Sequence, residues 1–150
     1  MTEISVSAGQ RMDGVDPARL WAFVANPKNI SDWAPVRAAG FIGTEVPGVG
    51  HTLFLHRRRG ARNERAWRCR IQAWEAGHRV TCALETPGAA TEQRLELTVG
   101  THGTGDHPAA SVRVAYRGDV PRLLAWFYRR RIAQLERRAI RRILGAMVPT

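Results

Sequence analysis

Residues 119–147 read DVPRLLAWFYRRRIAQLERRAIRRILGAM, and this stretch decides the fold. Asp119 can cap a helix that Pro121 begins, and Pro149 lies beyond its predicted end near Met147. At about 100° per residue, one face of such a helix is apolar and the opposite face carries arginines. The predicted apolar stripe comprises Leu124, Tyr128, Ile132, Leu135, Ala139, Ile143 and Ala146. Twenty-odd residues at about 1.5 Å each make a rod of roughly 40 Å, which is long enough to cross a sheet.

The sheet that this helix would cover is predicted from the preceding residues, whose apolar positions recur with a period of two. Turn signals such as Pro47-Gly48 and Pro87-Gly88 separate the predicted strands. The predicted strands are 3–9, 38–46, 51–59, 63–75, 78–86, 91–100 and 110–118. Because the connections after residue 38 are short, consecutive strands form antiparallel hairpins.

Alternation along the strands predicts a sheet with one apolar face and one polar face. In strand 63–75, the apolar side carries Trp67, Cys69, Ile71 and Ala73, and the other side carries Arg68, Arg70 and Gln72. Strand 51–59 is less regular, because Leu53, Phe54 and Leu55 place apolar groups on both sides. Since no other segment is long enough to cover the apolar face, we expect the C-terminal helix to do so.

Two short helices are predicted between the first and second strands. Asp16-Pro17 supplies a cap and a first-turn proline, and Asn26-Pro27 ends this helix because the residue before a proline avoids the α region. A second helical turn follows at 30–33. The pattern therefore predicts one α+β domain over residues 1–150, with a seven-stranded antiparallel sheet, two short helices and a long C-terminal helix.

Composition limits the class of protein. The chain has 150 residues, 44% of them hydrophobic and 24% charged, which is ordinary for a globular domain. No apolar run approaches the roughly 20 residues of a membrane-spanning helix, and the N-terminus lacks a secretory pattern, so cytoplasmic residence is expected. Cys69 and Cys82 are expected to be buried thiols that pack as small apolar side chains.

This order of elements resembles the helix-grip fold of the START and birch-pollen-allergen superfamily, also called SRPBCC. The resemblance covers nearly the whole chain. Its local signals are DPARLWAFVANPKNISDWAP at 16–35, PGVGHTLFL at 47–55 and WRCRIQAWEAGHRV at 67–80. In the last of these, Ala76 stands where the superfamily commonly has proline. These patterns indicate a fold and carry almost no information about chemistry.

The resemblance implies a cavity between sheet and helix that holds a lipid-like or aromatic small molecule. Bacterial polyketide cyclase/dehydrase proteins and lipid-transport proteins are similar in this respect. The residues expected to line the cavity are Trp33, Phe54, Trp67, Cys69, Leu84, Leu97, Phe127 and Tyr128. The alternative for each of them is that it simply fills the core. The sequence contains neither Rieske-cluster nor 2-His-1-carboxylate spacing, so no cofactor or metal is expected.

His56 and Tyr116 are the candidate catalytic residues. If the Phe54 face of strand 51–59 is the inner face, His56 would act as a proton shuttle, because an imidazole titrates near neutral pH. Tyr116 would donate a hydrogen bond to a carbonyl or phenolate of a folded poly-ketone. The alternative for His56 is an exposed histidine at a sheet edge. Fold alone does not choose between a cyclase without cofactor and a non-catalytic carrier or sensor.

Charge supplies a separate hypothesis about partners. Arginine and lysine number 23 against 13 acidic residues, so the net charge is +10, and Lys28 is the only lysine. Arg130, Arg137, Arg138 and Arg141 on the C-terminal helix are expected to face an acidic acyl carrier protein or an anionic membrane. The alternatives are a solvated helix face or an arginine bias of coding composition. Nucleic-acid binding signatures are missing, so a nucleic-acid partner is not expected, and either a monomer or a homodimer fits.

Overall fold

A computed structural model of the protein describes residues 1–34, 36–41, 52–57, 67–85 and 92–148. The strands are β1 Thr2–Asp13, β2 Val36–Phe41, β3 Thr52–Arg57, β4 Trp67–Glu75, β5 Arg79–Glu85, β6 Gln93–Gly103 and β7 Pro108–Val120. The helices are α1 Pro17–Val24, α2 Pro27–Trp33 and α3 Ala125–Met147, and a 3-10 turn at Arg122–Leu124 precedes α3. The predicted turns at Pro47-Gly48 and Pro87-Gly88 lie outside the described residues.

Within the described residues, the strands form one antiparallel sheet in the order β1-β7-β6-β5-β4-β3-β2. Consecutive strands from β2 to β7 are neighbours, and β1 pairs along the free side of β7, from Thr2 opposite Val120 to Asp13 opposite Ala109. The expected α+β class, with an antiparallel sheet and a long C-terminal helix, is confirmed.

A β-bulge in β4 changes the faces that alternation predicts for the end of this strand. Ile71 pairs with Cys82, but the register then shifts, so that Ala73 pairs with Thr81 and Trp74 pairs with Val80. An extra residue of this kind moves the following side chains to the opposite face. The predicted placement of Ala73 beside Ile71 is therefore wrong, and Trp74 takes that face, where its ring meets Trp21 edge-on at 5.5 Å.

Helix α1 begins where the sequence predicts, whereas α2 begins at Pro27, three residues before the predicted turn at 30–33. The Asp16 carboxylate accepts a hydrogen bond from the Ala18 N–H at 3.0 Å, and the Asn26 side-chain oxygen accepts one from the Lys28 N–H at 3.0 Å. In each helix a proline follows the cap, and because proline has no backbone N–H, this position has no donor that would need a partner. Asn26-Pro27 thus ends α1 and at once begins α2.

Helix α3 begins later than the sequence pattern predicts. Asp119 lies in β7, and the residue before α3, Leu124, makes no side-chain capping bond. The 3-10 turn rotates the chain before α3 starts, so Leu124 is exposed, and Ala146 is exposed as well. The buried positions of α3 are Ala125, Glu136, Ala139, Ile140, Ile143 and Met147. The buried stripe of α3 shares Ala139 and Ile143 with the predicted stripe. It does not include Leu124 or Ala146, and it contains the acidic residue Glu136.

The three α-helices lie on one face of the sheet, which we call the inner face. Residues of α1 and the C-terminal half of α3 pack with β6 and β7 around Leu20, Val112 and Ile143. Helix α2 packs with β4 and β5 around Ile30, Ile71 and Cys82, and the start of α3 packs with Ile4 and Val120. Cys69 and Cys82 are both buried, as expected. The molecule is therefore a sheet with one layer of helices.

No helix in the described ranges is both long and apolar enough to cross a membrane.

Candidate functional site

The centre of the inner face is more accessible than its surroundings. Two rows of paired residues cross β1, β7 and β6, and every member of these rows is only partly buried. The first row is Val6, Tyr116 and Leu95, and the second is Ala8, Val114 and Leu97. We call these six residues the inner floor. An apolar patch that lies beneath helices and still meets solvent indicates space above it.

Fully buried residues surround the inner floor on three sides. Toward one end of the strands lie Ile4 and Val120, and toward the other lie Val99 and Val112. On the β5 side, Cys82 pairs with Leu95 and Val80 pairs with Leu97, and both are buried. The residues of the inner floor are therefore more accessible than the residues that surround them.

Glu136 is the one charged residue among the buried positions of the described chain. It lies on α3 between Ile132, which packs near Val6 and Tyr116, and Ile140, which packs near Val112. This position brings it to the level of the inner floor. The Glu136 side chain is 8% exposed, and neither carboxylate oxygen has a hydrogen-bond partner among the described residues. A buried carboxyl without hydrogen-bond partners destabilises the folded state, so a function of Glu136 would explain why it is present.

Burial raises the pKa of Glu136 to about 8, and the positive charge of Arg113 opposes this rise. The pKa moves in this direction because the charged carboxylate loses its hydration in apolar surroundings. At neutral pH the Glu136 carboxyl is therefore largely protonated. In this form it can donate a hydrogen bond to a carbonyl, and with a pKa near the working pH it can also exchange a proton.

Trp33 brings a second unpartnered polar group to the same side of the sheet. Its ring packs against the buried clusters around Val112 and Ile71, so it lies where the two meet. The indole N–H of Trp33 is buried without a hydrogen-bond acceptor among the described residues. Helix α2, which carries Trp33, contacts α3. Glu136 and Trp33 thus offer two unused hydrogen-bonding groups beneath the helices.

Tyr116 lies in the inner floor with its hydroxyl over Gly118. A Cβ atom at position 118 would lie 2.6 Å from this hydroxyl, so the ring can take this position only because residue 118 is glycine. The pKa of Tyr116 is raised, first by burial and then by the charges of Asp119 and Tyr128. The Tyr116 hydroxyl therefore stays protonated and can donate a hydrogen bond.

Four of the predicted site residues lie on β4, β5, β6 and β7, one on each strand. Tyr116 and Leu97 belong to the inner floor, and they lie in adjacent rows on neighbouring strands. Cys69 and Leu84 pair with each other on β4 and β5 and are 1% and 6% exposed. The structure thus brings Leu97 and Tyr116 to the accessible centre, and it places Cys69 and Leu84 in the packed core beside it.

Three other predicted site residues lie at the sheet edge formed by β3 and β4. Phe54 and His56 belong to β3 and Trp67 begins β4. Phe54 pairs with Arg68, and Trp67 pairs with Leu55. Nothing beyond their strand positions is described for Phe54, His56 and Trp67.

Phe127 and Tyr128 do not pack into the core. Phe127 is 51% exposed and Tyr128 is 36% exposed, and their rings meet edge-on with centroids 5.9 Å apart. Tyr128, when ionised, is near enough to Tyr116 to contribute to the raised pKa of its hydroxyl. Phe127 also meets the ring of Trp126 edge-on, with centroids 6.2 Å apart.

The outer face carries a polar depression of about 320 Å³ near the ends of β1, β6 and β7. Its lining includes the ion pair of Arg117 with Glu3 at 3.0 Å. Since charges of both signs already neutralise one another there, this depression has no feature that selects a ligand. Across the described ranges, no three His, Cys, Asp or Glu residues are grouped closely enough to hold a metal ion.

Glu136 is the residue that sequence reasoning missed. A signal was present, because Glu136 stands four residues after Ile132 and four before Ile140, in line with a buried stripe. Glu136 was not included in the predicted stripe because acidic residues ordinarily face solvent. The other floor residues, Val6, Ala8, Leu95 and Val114, carry no signal that distinguishes them from ordinary core.

Comparison with solved structures identifies the same fold in bacterial proteins. The protein CV1439 from Chromobacterium violaceum aligns with a TM-score of 0.66 at 12% identity, over 97% of this chain and 99% of its own. DR_A0006 from Deinococcus radiodurans aligns with a TM-score of 0.63 at 16% identity, over 96% and 98%. XoxI from Bacillus cereus aligns with a TM-score of 0.64 at 12% identity, over 96% of both chains. At these identities the likeness concerns the fold alone. The sequence matches no protein-family model and no curated protein.

Proposed function

We propose that this protein is a START-like helix-grip domain that binds an apolar or aromatic small molecule between α3 and the inner floor. The observation that carries the proposal is Glu136, a buried and unpartnered carboxyl at the level of a partly accessible apolar surface. Binding sites for small molecules combine apolar walls with a few polar groups that fix orientation. The likeness of fold over nearly the whole chain supports the proposal.

The polar groups define the chemistry of the ligand. A protonated Glu136 and the Tyr116 hydroxyl both donate hydrogen bonds, as does the indole N–H of Trp33. Three donors on an apolar surface fit an aromatic or polycyclic molecule that carries carbonyl oxygens. This is the substrate class of a polyketide cyclase or aromatase, which would act by holding a poly-ketone in one folded shape. Glu136, in addition to His56, then becomes a candidate for proton transfer.

The second candidate function is a non-catalytic carrier or sensor of a similar ligand. The observation that favours it is the exposed aromatic and arginine-rich start of α3, because a carrier must meet the surface from which it takes its cargo. Both functions share the same inner floor and differ in whether Glu136 transfers a proton.

Blocking the inner floor tests ligand binding. Wild-type protein is titrated with an apolar fluorescent dye and also examined by native mass spectrometry for a co-purified molecule. Leu97→Trp fills the floor and is expected to weaken dye binding by more than tenfold. Thr101→Trp, on an exposed position of the same strand, is the matched control and is expected to bind as wild type does. Absence of dye binding by the wild type, or normal binding by a folded Leu97→Trp, would contradict the proposal.

Turnover separates the two functions. Glu136→Gln keeps the shape of the side chain but cannot give or take a proton in the same way, and Tyr116→Phe removes one donor. For a cyclase, Glu136→Gln is expected to lower kcat on a poly-ketone by about 100-fold or more with little change in KM. For a carrier, both variants change only the affinity. His56→Ala, assayed in parallel, tests the earlier candidate.

A further inference from the structure

The start of α3 and the turn before it leave large apolar side chains in water. The exposed fractions are 88% for Leu123, 46% for Leu124, 66% for Trp126 and 51% for Phe127. The rings of Trp126 and Phe127 meet edge-on, and Leu123 and Leu124 directly precede this part of the helix in the chain. Scattered exposed residues need no explanation, but a contiguous group of this size marks an interaction surface.

Arginines flank this apolar group on both sides. Arg122 lies in the turn before α3, and Arg129, Arg130 and Arg131 follow one helical turn after Trp126 and Phe127; all four are exposed. Residues three and four apart are neighbours on a helix surface, so the guanidinium groups border the aromatic rings. The sequence from 120 to 135 contains no acidic residue. The surface therefore requires a partner that is apolar at its centre and anionic at its rim.

We propose that this aromatic–arginine surface, formed by Leu123, Leu124, Trp126 and Phe127 with Arg122 and Arg129–131, docks on an anionic lipid membrane. Aromatic rings sit at the level of lipid headgroups, leucines reach the acyl chains, and arginines meet the phosphates. Apolar, aromatic and cationic side chains thus lie next to one another on this surface, as acyl chains, headgroups and phosphates do at the edge of an anionic bilayer.

Charge and side-chain type disfavour the other partners. A second copy of the chain docked through the same surface would bring four arginines against four arginines, which repel. A nucleic acid would use the aromatic rings and the arginines, but the two leucines have no base to stack on. An anionic lipid bilayer accommodates all of these groups, because its acyl chains meet the leucines, its headgroup region meets the rings and its phosphates meet the arginines.

The far half of α3 provides an internal control. Arg137, Arg138 and Arg141 are equally exposed, but their apolar neighbours Ala139, Ile140 and Ile143 are buried. A protein that merely adsorbs through its net charge would use both groups of arginines alike. Docking through the aromatic–arginine surface uses only the first group.

Co-sedimentation with vesicles tests the proposal at about 0.1 M salt. The protein is mixed with phosphatidylcholine vesicles that contain either no phosphatidylglycerol or 30% of it, and binding is expected only to the anionic vesicles. The triple variant Arg129→Gln/Arg130→Gln/Arg131→Gln is expected to weaken binding by about 100-fold, since each arginine near an anionic surface contributes about fivefold. The matched triple variant Arg137→Gln/Arg138→Gln/Arg141→Gln removes the same charge and is expected to weaken binding by less than tenfold.

The apolar half of the surface needs its own variant. Leu123→Ser/Trp126→Ser keeps the net charge and is expected to lower binding at least tenfold, whereas Val148→Ser, at another exposed apolar residue, leaves it unchanged. The blue shift of tryptophan fluorescence on vesicles is expected to be smaller in Trp126→Phe. Since all the substituted side chains are exposed, the variants are expected to stay folded, which circular dichroism checks.

Four results would overturn the proposal. These are an absence of binding to anionic vesicles, equal losses for the two arginine triples, unchanged binding by Leu123→Ser/Trp126→Ser, and a dimer in solution that this last variant dissociates. The proposal does not rest on the inner floor. A protein that binds vesicles but no apolar dye would retain the membrane surface and lose the proposed ligand site, and the reverse result would do the opposite.

Discussion

The two halves of α3 repeat one amphipathic pattern and use it differently. In the C-terminal half, Ile140, Ile143 and Met147 are buried against α1, β6 and β7. In the N-terminal half, Trp126 and Phe127 are the more apolar residues, yet they stay in water. An apolar side chain is buried only where other elements cover it, and residues of α1, β1, β6 and β7 share one buried cluster with the C-terminal half. The comparison teaches that the second half of this helix buries its large apolar side chains, while the first half leaves several of them exposed, and this exposed part is where we propose membrane docking.

Truncation of one apolar residue in each half is the strongest test of this difference. Ile143 is fully buried, so Ile143→Ala leaves a cavity and is expected to lower the free energy of unfolding by about 3 kcal/mol. Leu123 is 88% exposed, so Leu123→Ala is expected to change it by less than about 0.5 kcal/mol. Urea denaturation measures both. Similar losses in the two variants would mean that the N-terminal half is covered in solution.

Glu136 lies where the two halves meet, and its buried carboxyl makes stability depend on pH. Its pKa is raised to about 8 from an ordinary value of 4.5, so the folded state holds a proton that the unfolded state releases between these values. Stability is therefore full below about pH 4.5, falls as the pH rises, and levels off above about pH 8. We expect a loss of at least about 1 kcal/mol between pH 5 and pH 8 relative to Glu136→Gln.

The matched variants separate charge from packing at this position. Glu136→Leu removes the unpartnered group and is expected to stabilise the protein by about 1–3 kcal/mol at pH 8, with a smaller gain at pH 5. Denaturation curves at four pH values between 5 and 9 give both results. A pH dependence identical in wild type and Glu136→Gln would show that the carboxyl finds a partner in solution.

These residues also show how far sequence reasoning reaches. Local chemistry determines the cap at Asp16, and the strand periodicity determines the class of fold, so both are predictable. The start of α2 at Asn26-Pro27 was not predicted, because this pair was interpreted only as the end of α1. The bulge at residue 72 is not predictable, because one extra residue changes the register without any change in composition. The offset of the α3 stripe has a similar cause, since a 3-10 turn at Arg122–Leu124 rotates the helix that follows.

The candidate site is less predictable than the fold for a physical reason. Leu97 and Tyr116 were predicted because their strand face is apolar, but Cys69 and Leu84 share that face and are packed core. Whether an apolar residue lines space or fills it depends on the distance to the opposite layer, which no local pattern encodes. Glu136 escaped the prediction because a buried acid contradicts the rule that charged residues face water.

Gly118 tests whether the position of the Tyr116 ring is set by the missing side chain beside it. Gly118→Ala places a methyl group 2.6 Å from the Tyr116 hydroxyl and 3.1 Å from its ring carbon Cζ, so the ring must move. We expect a cost of about 1 kcal/mol, because the clash involves the far end of a side chain. Tyr116→Phe in the same background removes the closest atom and is expected to recover part of this cost. A double-mutant cycle measures the coupling, and strictly additive effects would contradict the contact.

The smallest expected effect concerns the outer side of the C-terminal half, where arginines stand one turn apart. Arg138 lies four residues before Arg142 and three before Arg141, and like charges at these spacings destabilise a helix. Arg138→Glu turns both contacts into attractions with the acid on the N-terminal side, so we expect a gain of about 0.5 kcal/mol at low salt. Arg138→Gln only removes the repulsion and is expected to gain about half as much. Because these charges are exposed, both gains are expected to vanish in about 1 M salt. A gain that persists in high salt would mean that Arg138 affects stability through packing and not through charge repulsion. The C-terminal half would then differ from the N-terminal half in its outer side as well as in its buried side.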